Sequence, residues 1–139
     1  MEFFLYLNQN TLELVQVIRQ ANYSIIEYDN VCSDLYVNGA TKYPQKVLVI
    51  CTDNIIKKSS DAKQLINKTI THEAMHIVHM CNNRRPIGLS IFELSNQKIK
   101  NIERSVSVGI NTNYDIESEA YIVEDNPKQV IRYIKKFCF

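Results

Sequence analysis

The sequence contains few glycines and prolines, no tryptophan, no long apolar run and almost no net charge. Its 139 residues include three glycines and three prolines, and the apolar fraction of 45% and charged fraction of 22% argue against disordered, collagen-like and coiled-coil chains. A net charge of +1 provides no general attraction for nucleic acid or an anionic membrane. The longest apolar runs, at 3–7 and 47–51, are far shorter than the roughly 20 residues of a membrane-spanning helix. We therefore expect neither a nucleic-acid partner nor a membrane span.

The four cysteines are widely separated and form no CxxC pair, which argues against a cysteine-based zinc ribbon. They are Cys32, Cys51, Cys81 and Cys138. The chain begins Met1-Glu2, without the basic start of a signal peptide, so we expect a cytoplasmic protein with reduced thiols. Cys51 and Cys81 stand at the ends of a predicted strand and a predicted helix. We expect them to be neighbours that form a free buried pair rather than a disulfide.

The hydrophobic pattern predicts a single α+β domain over residues 1–139, without internal repeats. Asn38-Gly39 is a strong signal for the turn of a β-hairpin. Ser59 or Ser60 is expected to cap the longest helix, Asp115 is a candidate cap further on, and Pro127 fits the first turn of the last helix. The predicted elements are a helix at 10–21, strands at 24–28, 34–37 and 46–52, a helix at 61–82, a helix within 91–106, a loop at 109–114, and helices at 115–125 and from 127 onward.

All three histidines of the chain lie within eight residues on the predicted long helix. His72-Glu73-Ala74-Met75-His76 is an HExxH motif, in which the two histidines are one turn apart on the same helix face and both reach one metal ion. Zinc lowers the pKa of a bound water toward about 7, and Glu73 lies close enough to take its proton. The motif predicts a zinc-dependent hydrolase of peptide bonds. The alternative is a surface helix with incidental polar residues.

Zinc in a catalytic site needs a third protein ligand. The HExxHxxGxxH pattern is absent, because no histidine follows His79. Glu117-Ser118-Glu119-Ala120 offers an acid on a second predicted helix, with a small residue one turn on that lets two helices pack closely. Glu117 and Glu119 face different sides, since two residues rotate a helix by about 200°. We favour Glu117 as the ligand, with Glu119 as the alternative, and two solvated surface acids as a third interpretation.

Three further features accompany the motif. His79 returns to the face of His72 but lies one turn beyond His76, so we interpret it as supporting a ligand or contacting substrate; a solvated residue and a direct ligand are the alternatives. Tyr121, one turn past Glu117, is a candidate hydrogen-bond donor to an oxyanion, although core packing is the commoner fate of an aromatic residue. The run 47–51 fits either an edge strand that binds an extended peptide or an ordinary core strand.

These residues resemble the gluzincin type of zinc metallopeptidase in a minimal, single-domain form. The HExxH motif, the Glu-x-x-Ala block at 117–120 and the flanking stretches 49–54 and 69–73 are most similar to the mitochondrial peptidase family that processes an ATP synthase subunit and assists assembly of that enzyme. The resemblance implies a zincin-like fold, in which a small antiparallel or mixed sheet packs on the active-site helix and a helical part follows. It also implies His72, His76 and Glu117 as ligands of Zn²⁺ and Glu73 as the base. His79 departs from the family, which tends to have an acid there.

The leading hypothesis is a zinc-dependent endopeptidase that acts on a peptide or protein substrate. The alternative is a catalytically inactive zincin-fold module that binds a partner or builds an assembly such as a phage particle. The intact Glu73 favours the enzyme, because a binding module has no use for the base. The short chain favours the module, because it leaves few residues for a deep specificity cleft.

Overall fold

A computed structural model describes residues 2–89, 94–107 and 113–139, and over these ranges the protein is α+β, as predicted. Short 3-10 helices occupy Glu2–Tyr6 and Asn30–Ser33. The strands are β1 (Ser24–Ile26), β2 (Gly39–Lys42) and β3 (Val47–Ile50). The α-helices are α1 (Gln9–Gln20), α2 (Thr52–Lys58), α3 (Ala62–Cys81), α4 (Asn96–Ser107), α5 (Tyr114–Val123) and α6 (Pro127–Cys138).

The sheet is mixed, with the strand order β1-β3-β2. β1 runs parallel to β3, and β2 runs antiparallel to it, with Gly39 opposite Ile50 and Lys42 opposite Val47. Side chains of β3 are buried on both faces: Leu48 and Ile50 enter the main core, while Val49 joins a smaller cluster. Because both faces of β3 are covered by other side chains, its sequence is continuously apolar.

One sequence prediction about this sheet is wrong. The turn between the antiparallel strands lies at 43–46, so Asn38-Gly39 is not the turn and Gly39 is instead the first residue of β2. A Cβ at Gly39 would stand 2.7 Å from the carbonyl oxygen of Val49, which shows that glycine is required here for close packing rather than for a turn.

Of the two interpretations of the run 47–51, the core strand is the one that the structure supports. β3 lies between the other two strands, and the edge beside the candidate site is β2.

Helix α3 is the central element of the fold. The carboxylate of Asp61, rather than Ser59 or Ser60, caps its first turn by accepting a hydrogen bond from the backbone N–H of Gln64 at 3.0 Å. Every residue from 69 to 79 is buried, because the sheet covers one side of the helix while α5 and α6 pack on others. The histidine motif therefore lies in the interior of the protein, where its polar side chains need specific partners.

The helices that follow α3 agree with the predicted order and differ in detail. Asn113, rather than Asp115, caps α5, because its side chain accepts a hydrogen bond from the backbone N–H of Ile116 at 3.1 Å. Pro127 begins α6 as predicted, and Val130 and Ile134 of that helix are fully buried against the core. α4 covers most of the helix predicted within 91–106. Parts of that range and of the predicted 109–114 loop lie outside the described residues.

All four cysteines form disulfides, which contradicts the predicted reduced thiols. Cys51, at the end of β3, is bonded to Cys32 in the loop before β2, and Cys81, at the end of α3, is bonded to Cys138 at the end of α6. Cys51 and Cys81 are therefore not a free pair. Sequence positions alone did not indicate this pairing, because each bond joins elements that only the tertiary fold brings together.

Across the three described ranges, no helix is both long enough and apolar enough to cross a membrane.

Candidate metal centre

Three side chains predicted as metal ligands converge beneath the sheet. His72 and His76 are one turn apart on α3, and Glu117 approaches them from α5. Nε2 of His72 lies 2.7 Å from Oε1 of Glu117, and Nε2 of His76 lies 3.3 Å from Oε2 of the same carboxylate. The two imidazoles thus turn the same nitrogen toward one shared carboxylate, and the three ligand groups are together before any ion is considered.

The approach of α5 to α3 depends on the small residue in the Glu-x-x-Ala block. Ala120, three residues after Glu117, is fully buried where the two helices pack together. A larger side chain at this point would hold the helix axes further apart. Glu117 itself is only 4% exposed, so it is not a solvated surface acid.

The electrostatics of the cluster favour an ionised carboxylate. Burial alone would raise the pKa of Glu117, but the imidazoles of His72 and His76 outweigh it and hold that pKa far below its usual range. Burial lowers the pKa of His72, but Glu117 and Glu124 outweigh this effect and hold it well above the ordinary value. In the metal-free protein a proton therefore lies between His72 and Glu117. A divalent cation would compete with this proton for both side chains.

Glu73 lies beside the ligand cluster and is held from the edge strand. Its carboxylate and the two motif imidazoles offer atoms that lie within 4.8 Å of one another. The hydroxyl of Thr41 on β2 lies 3.0 Å from Oε2 of Glu73 and 2.8 Å from the Glu73 backbone oxygen, so one hydroxyl proton is shared between them. The sheet therefore orients the carboxylate that the sequence predicts as the base.

A buried acid that sequence reasoning missed supports His72 from behind. Oε1 of Glu124 lies 3.2 Å from Nδ1 of His72. A carboxylate at that distance accepts a hydrogen bond from Nδ1–H. When a metal replaces the proton at Nε2, the remaining proton stays on Nδ1 and the Nε2 lone pair is available to the metal, as with outer partners of metal-bound histidines. Glu124 is also paired with Lys68 at 3.7 Å and Lys98 at 3.5 Å. Its spacing of seven residues from Glu117, two turns on the same helix face, was the signal available in the sequence.

His79 and Glu119 form a second pair behind His76. Nδ1 of His79 lies 3.3 Å from Nδ1 of His76, and Nε2 of His79 lies 2.9 Å from Oε1 of Glu119. His79 is fully buried, and burial lowers its pKa. Here His79 contacts a predicted ligand rather than joining the ligands. Glu119, which the sequence left as an alternative ligand or a surface acid, is buried and faces His79.

Tyr121 packs its ring edge-on against His72, with ring centroids 4.6 Å apart at an interplanar angle of 76°. Burial and the nearby Glu117 raise the pKa of its hydroxyl above the ordinary value, so the group stays protonated. The side chain fixes the orientation of His72 and also borders the open side of the site.

A cleft of about 480 Å³ opens over the cluster. One wall is formed by residues 36–41, which include the edge strand β2, and the other by polar residues of α4. The motif residues His72, Glu73 and His76 line its floor together with Glu117. A ligand in this cleft would therefore contact Glu73 and the three predicted metal ligands at once, between a strand edge and a polar helix face.

The donor set suits zinc. Two imidazole nitrogens and one carboxylate are the three protein ligands of one class of catalytic zinc site, which leaves a fourth position open. Both imidazoles have a partner at Nδ1, Glu124 for His72 and His79 for His76, so each directs Nε2 into the cluster. Copper and nickel accept the same ligand types, so the donors define the position of the metal more firmly than its identity.

A family model described as "Domain of unknown function (DUF8637)" matches residues 3–139. Neither the curated proteins nor the solved structures include a significant match to the chain. The matched range contains every residue of the candidate metal centre as well as the six α-helices found among the described residues. Since the match covers nearly the whole sequence, the chain belongs to the DUF8637 family.

Proposed function

We propose that this protein is a zinc-dependent metallopeptidase that hydrolyses peptide bonds, with His72, His76 and Glu117 as ligands and Glu73 as the general base. The observation that supports this most strongly is the convergence of His72, His76 and Glu117 beside a held Glu73 at the floor of a cleft. A purely structural zinc site is closed by four protein ligands and needs no adjacent free carboxylate.

The residues divide the chemistry among them. When bound, zinc polarises the carbonyl of the substrate and lowers the pKa of a water molecule. Glu73 accepts the proton of the attacking water and later delivers it to the leaving amine. Thr41 limits the motion of the Glu73 carboxylate through its hydroxyl. Glu124 and Tyr121 hold the ring of His72 from two sides.

Strand β2 is the element that we propose to bind the substrate. It is an edge strand among the described residues, and its residues 39–41 line the cleft. An extended peptide can add to such an edge through main-chain hydrogen bonds, which would place its scissile bond near Glu73. The substrate is therefore proposed to be an unfolded or extended segment of a peptide or protein.

Zinc content and hydrolysis together test the proposal. Purified wild-type protein should hold one zinc per chain, and His76→Ala should hold none. Glu73→Gln should keep the zinc and the fold but lose about 10² to 10⁴ in the cleavage rate of a quenched peptide library, the usual contribution of a general base. Glu13→Gln, an exposed change on α1, serves as the matched control and should leave both unchanged.

The outcomes separate the enzyme from a binding module. Wild-type protein that binds zinc but cleaves no member of the library would favour the inactive zincin-fold module. Near-normal turnover in Glu73→Gln would mean that another group is the base. Absence of zinc from wild type, even after incubation with the metal, would overturn the proposal at its first step.

The paired cysteines bear on the compartment. The expectation of a cytoplasmic protein came from the chain's start and implied reduced thiols, whereas all four cysteines are disulfide-bonded. Disulfides persist in secreted proteins and in oxidising compartments and are rare where thiol reductants are abundant. The enzyme is therefore proposed to act in an oxidising compartment.

A further inference from the structure

The carboxylate of Glu119 is buried and has four observed contacts. Three are with backbone N–H groups, and the fourth is with a ring nitrogen of His79. Its Oε1 lies 2.9 Å from Nε2 of His79 and 2.8 Å from the backbone nitrogen of Ile87. Its Oε2 accepts hydrogen bonds from the backbone N–H groups of Gly88 and Leu89, each at 2.7 Å. Three backbone N–H donors distributed over both oxygens favour the ionised carboxylate, which then accepts from every one of these neighbours.

The loop that follows α3 is shaped to hold this carboxylate. Gly88 has a φ of +94°, a backbone conformation that favours glycine, and it turns three successive N–H groups toward one point. Consecutive amides arranged like this form an anion-binding concavity. Glu119 on α5 is thereby locked in place, and its remaining acceptor position is directed at His79.

The carboxylate of Glu119 determines which ring nitrogens of His79 and His76 carry protons. Because Glu119 only accepts, Nε2 of His79 must carry a proton, and neutral His79 then has a bare Nδ1. That bare nitrogen lies 3.3 Å from Nδ1 of His76, which must donate. Without a metal, Nε2 of His76 faces the ionised carboxylate of Glu117 as a donor. When a metal replaces the proton at Nε2, the remaining proton stays on Nδ1, so the Nε2 lone pair is available to the metal.

We propose that Glu119 is a positioning residue of the metal centre, which sets the tautomer of His79 and, through His79, directs the Nε2 lone pair of His76 toward the ligand cluster. This inference rests on the proposed function for its purpose, but the tautomers themselves exist with or without the metal. It gives a role to the second acid of the Glu-x-x-Ala block and to the third histidine of α3. It also links the centre to the loop at 87–89.

The substitution Glu119→Gln separates this role from simple packing. The two amides of Gly88 and Leu89 share one oxygen position, so the glutamine oxygen is expected there and the glutamine NH₂ group at the other position, where it faces His79 and loses the hydrogen bond from the backbone N–H of Ile87. The lost Ile87 hydrogen bond does not pass through His79, so a His79→Phe background measures its effect separately. His79 must then accept at Nε2 and carry its proton on Nδ1. His76 is in turn forced to accept at Nδ1 and to protonate Nε2, which blocks metal binding until the chain rearranges.

The first test reads the tautomers directly. The chain has only three histidines, all in this cluster, so ¹⁵N-histidine labelling and long-range ¹H–¹⁵N correlation spectra report each ring nitrogen. In metal-free wild type, His79 should be protonated at Nε2 and bare at Nδ1, and Glu119→Gln should reverse this. Wild-type His79 protonated at Nδ1 would overturn the proposal, whatever the variant does.

The second test follows the effect to the metal. Zinc titration against a competing chelator should show affinity reduced by about 10- to 100-fold in Glu119→Gln, the range for outer partners of metal-bound histidines. Phenylalanine at position 79 forms no hydrogen bond with either neighbour. In a His79→Phe background, adding Glu119→Gln should therefore reduce the zinc affinity little further, because Glu119 affects the metal centre through His79. The visible spectrum of the Co²⁺-loaded protein should change in Glu119→Gln, since the geometry at His76 differs.

The outcomes are distinct from those of the proposed function. The same loss from Glu119→Gln in both backgrounds would mean that Glu119 acts by packing alone, and no loss in either would mean that it has no role at the metal; each overturns the proposal. Circular dichroism shows whether the variants fold. If wild type binds no metal, the proposed function fails, and the histidine spectra of the metal-free protein still decide the tautomers.

Discussion

At the scale of single residues, His72 shows how one side chain depends on partners from a second helix. Glu117 lies at one ring nitrogen and Glu124 at the other, both on or directly after α5. The buried carboxylate of Glu124 is in turn paired with Lys68 and Lys98. These lysines also contact Asp125, whose side chain is 61% exposed, so Asp125 provides a comparison for the loss of a negative charge beside the same lysines.

We expect Glu124→Gln to weaken zinc binding by about 10- to 100-fold, because the amide no longer favours the His72 tautomer with a free Nε2. Asp125→Asn removes a charge from the same two lysines without touching His72 and should leave the affinity almost unchanged. Chelator-competition titration measures both variants. Equal losses in the two variants would mean that the lysine pairing, rather than the contact to His72, is what matters.

At the scale of elements, the site depends on how closely β2 approaches α3. Gly39 makes this approach possible, because a Cβ there would lie 2.7 Å from the Val49 carbonyl oxygen and 2.9 Å from Cγ2 of Thr69. The same strand carries Thr41 to Glu73. The distance between strand and helix therefore affects the position of the Glu73 carboxylate, the proposed base.

We expect Gly39→Ala to lower the free energy of unfolding by about 1–3 kcal/mol, the usual cost of overpacking a close contact. The added methyl group meets backbone on one side and a threonine methyl on the other, so β2 must move away from α3. Peptide cleavage should fall as well, since Thr41 moves with the strand. Urea unfolding and the cleavage rate measure the two effects; unchanged stability would show that the strand moves freely.

At the scale of the whole molecule, two disulfides close the fold at separate places. Cys32–Cys51 ties the loop before β2 to the end of β3, over a sequence separation of 19 residues. Cys81–Cys138 ties the end of the histidine helix to the last helix, over 57 residues. The longer loop removes more conformational freedom from the unfolded chain, so its bond is expected to stabilise more.

We expect alkylation of the unreduced, unfolded protein to label no cysteine. Replacing Cys81 and Cys138 by serine should lower the free energy of unfolding by about 4 kcal/mol, and replacing Cys32 and Cys51 by about 3 kcal/mol, according to the chain-entropy relation. Urea unfolding of the two double variants gives the comparison. Labelled thiols in protein prepared from an oxidising compartment would contradict both the pairing and the proposed location.

Periodicity predicted the longer helices but not the short helix α2, and it was insufficient for the sheet. The apolar spacing predicted α1, α3 and α6 to within one or two residues, because a helix is determined by contacts between near neighbours in the chain. Asn38-Gly39 was misread as a turn, since its local signal is the same whether glycine supplies a turn or a close packing contact. The strand order likewise depends on pairing between distant segments.

The sequence by itself determined that His72 and His76 share one helix face, because a spacing of four residues is about one helical turn, and that Glu73 lies next to them. It also limited the candidates for a third metal ligand to Glu117 and Glu119. Only the tertiary structure decided which acid meets the imidazoles, which one faces His79, and that Glu124 lies behind His72. The disulfide pairing, too, was decided only by the tertiary structure. The physical reason is that these contacts join segments 19 to 57 residues apart, whose distances depend on how helices and strands pack rather than on local spacing.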